Sequence, residues 1–322
     1  YYLLNNQLFL IRSYNLVMRL SMNKDHDNLV TEIKNDTAHG ADYISNLALK
    51  AMVQLASEEY SETEKLMRDM RSCAREIIKS RPSMSPLTSK IVELMIRIDP
   101  GLQLDEIREQ VKESAKDIMK GKDERLERIV EHLHKETGDI ESIFTHSRSS
   151  TVFGVIRGLR AKEVICTESR PLFEGREMAK MLRDEGVDVT LVVDSAIAMF
   201  INKADLSLSG ADSVLADGSI INKVGTKLLA IAASDAGVPF YTVCDTYKFS
   251  LLNYLGKDIE LEEHDPEEVA DIEGVSVRNP YFEVTPSCLI SGVITEKGLM
   301  TSSTIKQHMS EKSDYVKLLL DY

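Results

Sequence analysis

Apolar residues recur at helical spacing through the amino-terminal half of the chain. They fall mainly at this spacing between residues 38 and 59, and the same period runs between charged residues from Ile107 to Leu133. Proline or glycine interrupts the period at Arg81-Pro82-Ser83, Asp99-Pro100-Gly101 and Gly121. We therefore predict a helical domain over residues 22–137, built from about five or six helices whose apolar stripes form a core.

After Gly138 the pattern changes to short apolar runs that alternate with amphipathic segments. The runs predict strands at residues 140–145, 163–167, 187–193, 206–209 and 239–243. The segments between them predict helices at residues 151–159, 174–185, 195–201 and 224–236. This alternation is typical of an α/β fold with a Rossmann-like, doubly wound, mostly parallel sheet, which we place at residues 138–322.

Polar residues follow directly after every predicted strand. They are His146-Ser147, Glu168-Ser169-Arg170, Asp194-Ser195, Gly210-Ala211-Asp212 and Asp245-Thr246-Tyr247-Lys248. Because the carboxyl ends of parallel strands meet at one edge of the sheet, where ligands bind, we expect a polar pocket there. Asp194 is expected only to cap the helix that follows it.

The residue types in this pocket suit a phosphate group. Arg170 and Lys248 are cations, and the neighbouring acids Glu168 and Asp245 are expected to orient them. The hydroxyl residues at 147–151 precede a helix whose first amides would point at an anion. A second helix start adds an amide, a cation and a glycine in the run Asn222-Lys223-Val224-Gly225-Thr226. We therefore predict a small phosphorylated ligand, either a sugar phosphate or a nucleoside monophosphate.

Composition narrows the classes of function. Hydrophobic residues make up 43% of the 322 residues and charged residues 28%, as in globular proteins. The net charge of -13 gives no basic field, so we expect no binding to DNA or RNA. The four cysteines form no C-x-x-C pair, and we predict no metal, redox motif or cofactor. The scattered cysteines and the lack of a secretory signal predict a reducing, cytoplasmic location. No uncharged apolar run approaches the roughly 20 residues that span a bilayer, so we expect no membrane insertion.

Residues 1–21 differ from the rest of the chain. They contain 13 Leu, Ile, Val, Met, Phe or Tyr, two Arg and no acid, and Met22 then opens a polar run. We interpret the segment as an upstream extension from a misplaced start codon. A membrane-surface amphipathic helix is the alternative, although the segment has few basic residues to bind anionic lipid.

Several elements, taken in order, resemble a known family. They are Thr167-Glu168-Ser169-Arg170-Pro171 with Glu174-Gly175-Arg176, then Gly210-Ala211-Asp212 with Asp217-Gly218 and the run at 222–226, then residues 246–249 and 278–286. They resemble the family of the alpha, beta and delta subunits of translation initiation factor 2B. That family also includes methylthioribose-1-phosphate isomerase and archaeal ribose-1,5-bisphosphate isomerase. The likeness extends from about residue 36 to residue 304 and implies the same α/β fold.

The resemblance also implies site residues in the helical half. His39-Gly40-Ala41 stands where the archaeal sugar-bisphosphate isomerase has R-G-A, and Arg81-Pro82-Ser83 stands where it has R-P-T. Both elements are similar to ones at the phosphate end of the isomerase pocket. A largely neutral imidazole binds an anion less well than a guanidinium, so His39 weakens this end of the site. Alternatively, His39 simply begins the helix that follows.

Two catalytic positions follow from the resemblance, and one of them is altered. Family isomerases use a cysteine and an aspartate to handle protons; Asp212 matches the aspartate, but Ser147 stands in place of the cysteine. A thiol with a pKa of about 8.5 can ionise at physiological pH, whereas an alcohol needs an adjacent general base. His146 is such a base only if it shares a face with Ser147, and adjacent residues of an extended segment do not.

Two functions therefore stay open. The serine favours a non-catalytic, regulatory initiation factor 2B-like subunit that binds a sugar phosphate or nucleotide, in which Asp212 bonds turn amides or ligand hydroxyls. The alternative is an aldose-ketose isomerase acting on ribose 1,5-bisphosphate. The candidate ligand-binding residues are His39, Gly40, Ala41, Arg81, His146, Ser149, Glu168, Arg170, Asn222, Lys223 and Lys248. The resemblance implies a homodimer or larger homo-oligomer and leaves initiation factor 2 open as a partner.

Overall fold

The computed structural model describes residues 26–36, 39–261 and 263–320. Contacts divide the chain into two compact units, the first comprising Tyr1–Pro82, Lys90–Met119 and Lys317–Tyr322, and the second Ser83–Ser89 and Lys120–Val316. The leader predicted at residues 1–21 lies outside the described residues. The domain boundary after residue 137 stays a prediction.

Helices build the first unit. They are α1 (His26–Asn35), α2 (Ala41–Ala56), α3 (Thr63–Ser80), most of α4 (Ser85–Arg97) and α5 (Leu104–Lys120). The predicted breaks at residues 81–83 and 99–101 fall between helices, as does the break at Gly121. Each helix turns an apolar stripe inward, so that Ile33, Met52 and Ile77 are fully buried.

Among the described residues, seven more α-helices lie wholly or mostly in the second unit, around the strands. The helices are α6 (Lys122–Thr137), α7 (Ser150–Leu159), α8 (Glu174–Asp184), α9 (Ile197–Phe200), α10 (Thr226–Ala236) and α11 (Leu251–Tyr254), followed by α12 (Ser302–Leu320), whose last residues belong to the first unit. The strands are β1 (Ser142–Thr145), β2 (Glu163–Thr167), β3 (Asp188–Val192), β4 (Leu206–Ser209), β5 (Ser213–Val214), β6 (Ile220–Lys223), β7 (Phe240–Val243), β8 (Phe282–Thr285), β9 (Gly292–Thr295) and β10 (Gly298–Met300).

Seven of these strands form one sheet in the order β10-β9-β7-β4-β1-β2-β3. All neighbours are parallel except β9 and β10, which are antiparallel. In the central register, Ile143 of β1 lies between Val164 of β2 and Leu206 of β4. The structure therefore confirms the predicted α/β class with a mostly parallel, doubly wound sheet.

Alternate residues of the strands fill two separate cores, one on each face. Ile143 joins a core with Leu133 of α6 and Val155 of α7. Its neighbour Phe144 joins the opposite core with Leu229 of α10. Because successive side chains of a strand point to opposite faces, helices cover both sides, as a parallel sheet requires.

A small antiparallel sheet, β5-β6-β8, was not among the predicted elements. Strand β5 has two residues, too few to give an alternating pattern, and β6 pairs with β8 across a long sequence separation. The pairing sets Asn222 opposite Glu283 and Lys223 opposite Phe282. The turn that follows Lys223 therefore begins from an ordered strand. In the described residues, no helix combines the length and the apolar character that crossing a membrane requires.

Candidate functional site

The carboxyl edge of the seven-stranded sheet collects the predicted strand-end residues of the second unit. Strands β1, β2, β4 and β7 end at Thr145, Thr167, Ser209 and Val243, and all four run in the same direction. The polar residues that follow these strands therefore emerge at one edge. Their partners decide which of them a ligand could contact.

His146 is buried at this edge and hydrogen-bonds to two neighbouring segments. The residue is 3% exposed; Nδ1 lies 2.6 Å from Thr167 Oγ1 and Nε2 lies 2.8 Å from the carbonyl oxygen of Val224. A carbonyl only accepts, so Nε2 carries the proton and Nδ1 accepts from the threonine hydroxyl. Burial lowers the pKa of His146, which keeps the ring neutral. Both nitrogens are occupied by protein groups, where the sequence suggested a ligand contact.

Gly225 is required beside this ring. Its φ is +104°, and a Cβ there would lie 2.6 Å from Cε1 of His146, closer than side-chain carbons approach. Only glycine combines this backbone conformation with the close approach. The bond from His146 to the Val224 carbonyl then fixes the turn from β6 into α10.

Ser147 has a left-handed backbone, with φ of 64°, and is half-buried. Its amide donates to Ser169 Oγ over 2.7 Å, and Ser169, also left-handed, is fully buried. Ser169 Oγ lies 3.2 Å from Thr167 Oγ1, which itself serves His146. A left-handed backbone at a residue other than glycine costs of order 1 kcal/mol, and such residues concentrate at functional sites. The loop holding Ser147 is thus built around one hydrogen-bonded chain.

Ser149 caps helix α7. Its Oγ accepts from the amide of Val152 at 3.3 Å, and its backbone is extended, as expected of a cap. The cap takes up one amide of the first turn. The amides of Ser150 and Thr151 belong to the same turn, next to Ser147, and are the groups that an anion at a helix start would use.

Asp194 braces the ends of two strands and does not cap the helix after it. Its carboxylate accepts from the amides of Ser169, at 2.8 Å, and Arg170, at 2.7 Å. The residue preceding the short helical turn at 194–196 is Val193, so the predicted cap was wrong. The physical reason is the parallel pairing of β2 with β3, which places Asp194 beside the β2 loop.

The cations at the edge have different partners from those expected. Arg170 donates to the carbonyl oxygen of Val269 at 3.0 Å and lies over the Phe173 ring. Glu168 pairs with Arg176, at 2.7 Å, and Asp245 pairs with Arg125, at 3.3 Å. The expectation that these acids orient Arg170 and Lys248 was therefore wrong. In each case a cation from a neighbouring helix lies closer.

Lys248 instead lies beside Asp212. Its Nζ is 3.7 Å from Asp212 Oδ1, and the two side chains are 25% and 44% exposed. Asp212 is held by its own amide, which donates to the Ile221 carbonyl at 2.9 Å. The structure thus brings together the predicted acid-base aspartate and a predicted phosphate-binding lysine, both open to solvent. Because both side chains reach solvent, Lys248 can leave Asp212 and bind a ligand without leaving an unpaired charge buried in the protein.

The start of α10 is already occupied by an acid. Glu283 of β8 accepts from the amides of Gly225, at 2.6 Å, and Lys227, at 3.0 Å. Asn222 donates to Thr226 Oγ1 at 2.9 Å. Phosphate was expected at this helix start because the run at 222–226 offers an amide, a cation and a glycine. Glu283 arrives only through the unforeseen pairing of β6 with β8, and it takes the anion's place.

Lys223 is buried in an ion pair. Its Nζ lies 3.0 Å from Glu174 Oε1 and 3.5 Å above the centre of the Tyr281 ring. The Lys223 side chain is 6% exposed, against 24% for Glu174. A lysine this deep in the protein requires a counter-charge, and Glu174, the first residue of α8, supplies it. Sequence reasoning found Lys223 but not this partner.

The site residues implied for the helical half all lie in the first unit. His39 bonds to Asp36 through its amide, at 2.8 Å, and its ring, at 2.7 Å, and it stacks on Tyr43. Gly40 is the cap of α2, which begins at Ala41. Arg81 donates to the carbonyls of Ile33, Lys34 and Asp36 at the end of α1. A cation at a helix carboxyl terminus satisfies its unpaired carbonyls.

Within the described residues, no thiol is hydrogen-bonded to Ser147. Cys166 of β2 belongs to the apolar core, where burial raises its pKa to about 12, and burial also raises the pKa of Cys244. Cys288 is exposed and follows the small sheet. Nor does any group of three or more His, Cys, Asp or Glu in the described residues suit a metal ion.

Comparisons with known proteins agree with the motifs. The chain matches the Initiation factor 2 subunit family over residues 37–302 and therefore belongs to that family. It is 36% identical over 278 residues to ribose 1,5-bisphosphate isomerase of Methanocaldococcus jannaschii, covering 84% of this chain and 89% of that protein. It is 35% identical over 278 residues to a translation initiation factor eIF-2B subunit 2-like protein of Pyrococcus furiosus, covering 84% and 95%.

A solved structure gives the same result. The crystal structure of translation initiation factor eIF-2B from Pyrococcus horikoshii OT3 superposes with a TM-score of 0.69 at 30% identity, covering 85% of this chain and 96% of that chain. The family resemblance is therefore confirmed. The relatives include proteins named as enzymes and proteins named as factors, so membership alone does not select a function.

Proposed function

We propose that the carboxyl edge of the sheet binds a small phosphorylated ligand, a sugar phosphate or a nucleoside monophosphate, without converting it. The support for binding is the exposed Lys248–Asp212 pair together with the start of α7 next to Ser147. A phosphate would accept from Lys248 and the first amides of α7, and Asp212 would accept from a ligand hydroxyl. Arg170 and Lys223 would have to leave their present partners to join.

The observation that carries the absence of turnover is the environment of Ser147. Isomerisation needs a group that removes a proton from carbon, and a serine does so only beside a base. Among the described residues, no base is hydrogen-bonded to the Ser147 hydroxyl, and His146 has both ring nitrogens engaged elsewhere. The pocket thus supports recognition better than proton transfer.

A second candidate is ribose-1,5-bisphosphate isomerase activity. The specific observation in its favour is the 36% identity, over most of both chains, to a protein of that name. By relatives' names alone, this candidate has more support than a non-catalytic role. Asp212 would then act as the acid-base group, and a second proton-handling group other than Ser147 would be needed.

The two candidates differ in one assay. Purified wild-type protein and the variants Asp212→Asn and Ser147→Cys are incubated with ribose 1,5-bisphosphate, and the ketose product is measured. Binding without conversion predicts no product from wild type above the Asp212→Asn background. Turnover by wild type that Asp212→Asn abolishes would establish the isomerase instead. Activity appearing only in Ser147→Cys would show a sugar-phosphate pocket that lacks one catalytic group.

Ligand binding is tested by thermal stability. A ligand that binds only the folded chain adds about 2.7 kcal/mol at a concentration of 100 times its Kd, which raises Tm. Ribose 5-phosphate and AMP should raise the Tm of wild type and raise it less in Lys248→Ala. Lys203→Ala, which changes an exposed lysine of the same unit, is the control. An equal shift in all three proteins would remove Lys248 from the site.

Self-association is proposed for the face formed by α9 and α10. Met199, Leu228 and Ile231 are 77%, 49% and 47% exposed on these neighbouring helices, and exposed apolar side chains in a group suit a protein contact. Light scattering should give a mass above that of the monomer, and Ile231→Glu should lower it. A regulatory role and contact with initiation factor 2 remain predictions from the family, and a cytoplasmic location remains a prediction from composition.

A further inference from the structure

Three polar atoms without hydrogen bonds lie in one buried cluster. Among the described residues, five buried side-chain polar atoms lack a hydrogen-bond partner, and three of them are Lys223 Nζ, Glu174 Oε2 and Tyr281 OH. Lys223 and Glu174 are in ion-pair contact at 3.0 Å, but their geometry makes no hydrogen bond. Buried polar groups are almost always hydrogen-bonded, so three exceptions at one place require an explanation.

The cluster is held from outside by aromatic contacts. Lys223 Nζ lies over one face of the Tyr281 ring, 3.5 Å from the ring centre. The His264 ring stacks on Tyr281 with centres 3.6 Å apart and planes 10° from parallel. Burial, followed by the charges of Glu268 and Glu174, raises the pKa of Tyr281 to about 12. The phenol therefore keeps its proton and remains a donor without an acceptor.

The pair also lies at the predicted ligand edge. Glu174 begins α8, seven residues after the end of β2, and Lys223 ends β6 immediately before the turn fixed by His146. Lys223 is followed directly by Val224, whose carbonyl oxygen lies 2.8 Å from His146 Nε2. A cation here would attract a phosphate, but Glu174 cancels its charge. Two negative groups, the carboxylate and an incoming phosphate, compete for one lysine.

We propose that Glu174 sets the charge preference of the binding site, because its ion pair with Lys223 must be shared or opened before a phosphate can use that lysine. This inference rests on the proposed binding of a phosphorylated ligand. Glu174 is then a specificity-determining residue: it disfavours ligands with two phosphates over ligands with one, since each added negative charge meets the carboxylate. The unbonded oxygen of Glu174 favours a ligand that offers a hydroxyl beside its phosphate.

The test replaces Glu174 with glutamine, which removes the negative charge and keeps the size of the side chain. Binding of ribose 1,5-bisphosphate and ribose 5-phosphate is measured by calorimetry for wild type, Glu174→Gln and the control Glu177→Gln. Glu177 lies on the same helix and pairs with Lys180 at 2.8 Å, but both side chains are about 60% exposed. We expect Glu174→Gln to tighten the bisphosphate about tenfold and the monophosphate less, and Glu177→Gln to stay within about twofold.

Lys223 provides the second half of the test. In a Lys223→Met background, Glu174→Gln should no longer tighten binding, because the gain acts through the lysine. A gain that persists without Lys223, or a folded Glu174→Gln protein that binds no more tightly than wild type, would overturn the inference and leave the proposed function standing. Absence of binding in wild type and in every variant would overturn both.

Folding of the variants is checked by circular dichroism and melting. Should Glu174→Gln fail to fold, Glu174→Asp keeps the charge but draws the carboxylate back by one methylene. It should tighten the bisphosphate in the same direction, by about twofold to threefold. Unchanged or weaker bisphosphate binding by folded Glu174→Asp would then contradict the proposal.

Discussion

Replacing Gly225 with alanine should destabilise the second unit far more than the same change at Gly237, which ends the same helix. At Gly225 the new methyl would lie 2.6 Å from two atoms of the His146 ring. That ring cannot move aside, because both nitrogens are bonded. Backbone strain costs about 1–3 kcal/mol and forced overpacking about 1–3 kcal/mol, so we expect a loss of about 4 kcal/mol.

Gly237 isolates the backbone part of this loss. Its φ is +68°, and a Cβ there would meet nothing within 4 Å. Gly237→Ala should therefore cost only about 1 kcal/mol. With about 2–4 °C of Tm per kcal/mol for a unit of this size, Gly225→Ala should melt roughly 8–16 °C below wild type.

The assay is thermal and urea denaturation followed by circular dichroism, since the chain has no tryptophan to report by fluorescence. In a His146→Ala background, Gly225→Ala should cost less than it does in wild type, because the ring that the methyl strikes is absent. If Gly225→Ala and Gly237→Ala prove equally stable to within 1 kcal/mol, the packing of His146 against this turn is refuted.

Two further predictions concern the same edge of the sheet. Glu283→Gln should lower the free energy of unfolding by about 1 kcal/mol in urea titrations, because α10 loses the negative charge that serves the amides of Gly225 and Lys227; no loss would contradict the cap. Burial lowers the pKa of His146 below its ordinary 6.5, so the unfolded chain binds the extra proton first. Stability should therefore fall as the pH drops below about 6.5, and His146→Gln should flatten that dependence; an identical slope in the variant would remove His146 as its source.

The main strands and helices of the second unit could be predicted because their signals are local. Short apolar runs predicted β1 to β4 and β7 to within about two residues at each end, and the carboxyl-edge rule then placed Asp212 and Lys248 at one edge. The small sheet could not be predicted in this way. Its strands are short, and β6 meets β8 only after the chain has completed α10, β7 and α11.

The partners of the site residues were the part that sequence reasoning missed. The sequence marks Arg170 and Lys223 as cations, but it gives no sign that Val269 and Glu174 receive them. Such contacts depend on loops and strand pairings distant along the chain. The substitution of Ser147 for a cysteine was, in contrast, visible directly, because a motif records a residue type even where it records no geometry.

The hydrogen bonds that begin at the Ser147 amide form a chain in which each group donates to the next. The Ser147 amide donates to Ser169, Ser169 to Thr167, Thr167 to His146, and His146 to the Val224 carbonyl. Were the imidazole to gain a second proton, Nδ1 would become a donor and both hydroxyls would turn round. The Ser169 hydrogen would then be left with the Thr167 carbonyl at 3.5 Å. The hydrogen bonds at the ends of β1 and β2 therefore all depend on the protonation state of His146. The directions in which the buried hydroxyls of Thr167 and Ser169 donate change with the charge of this ring, although the ring itself is shielded from solvent.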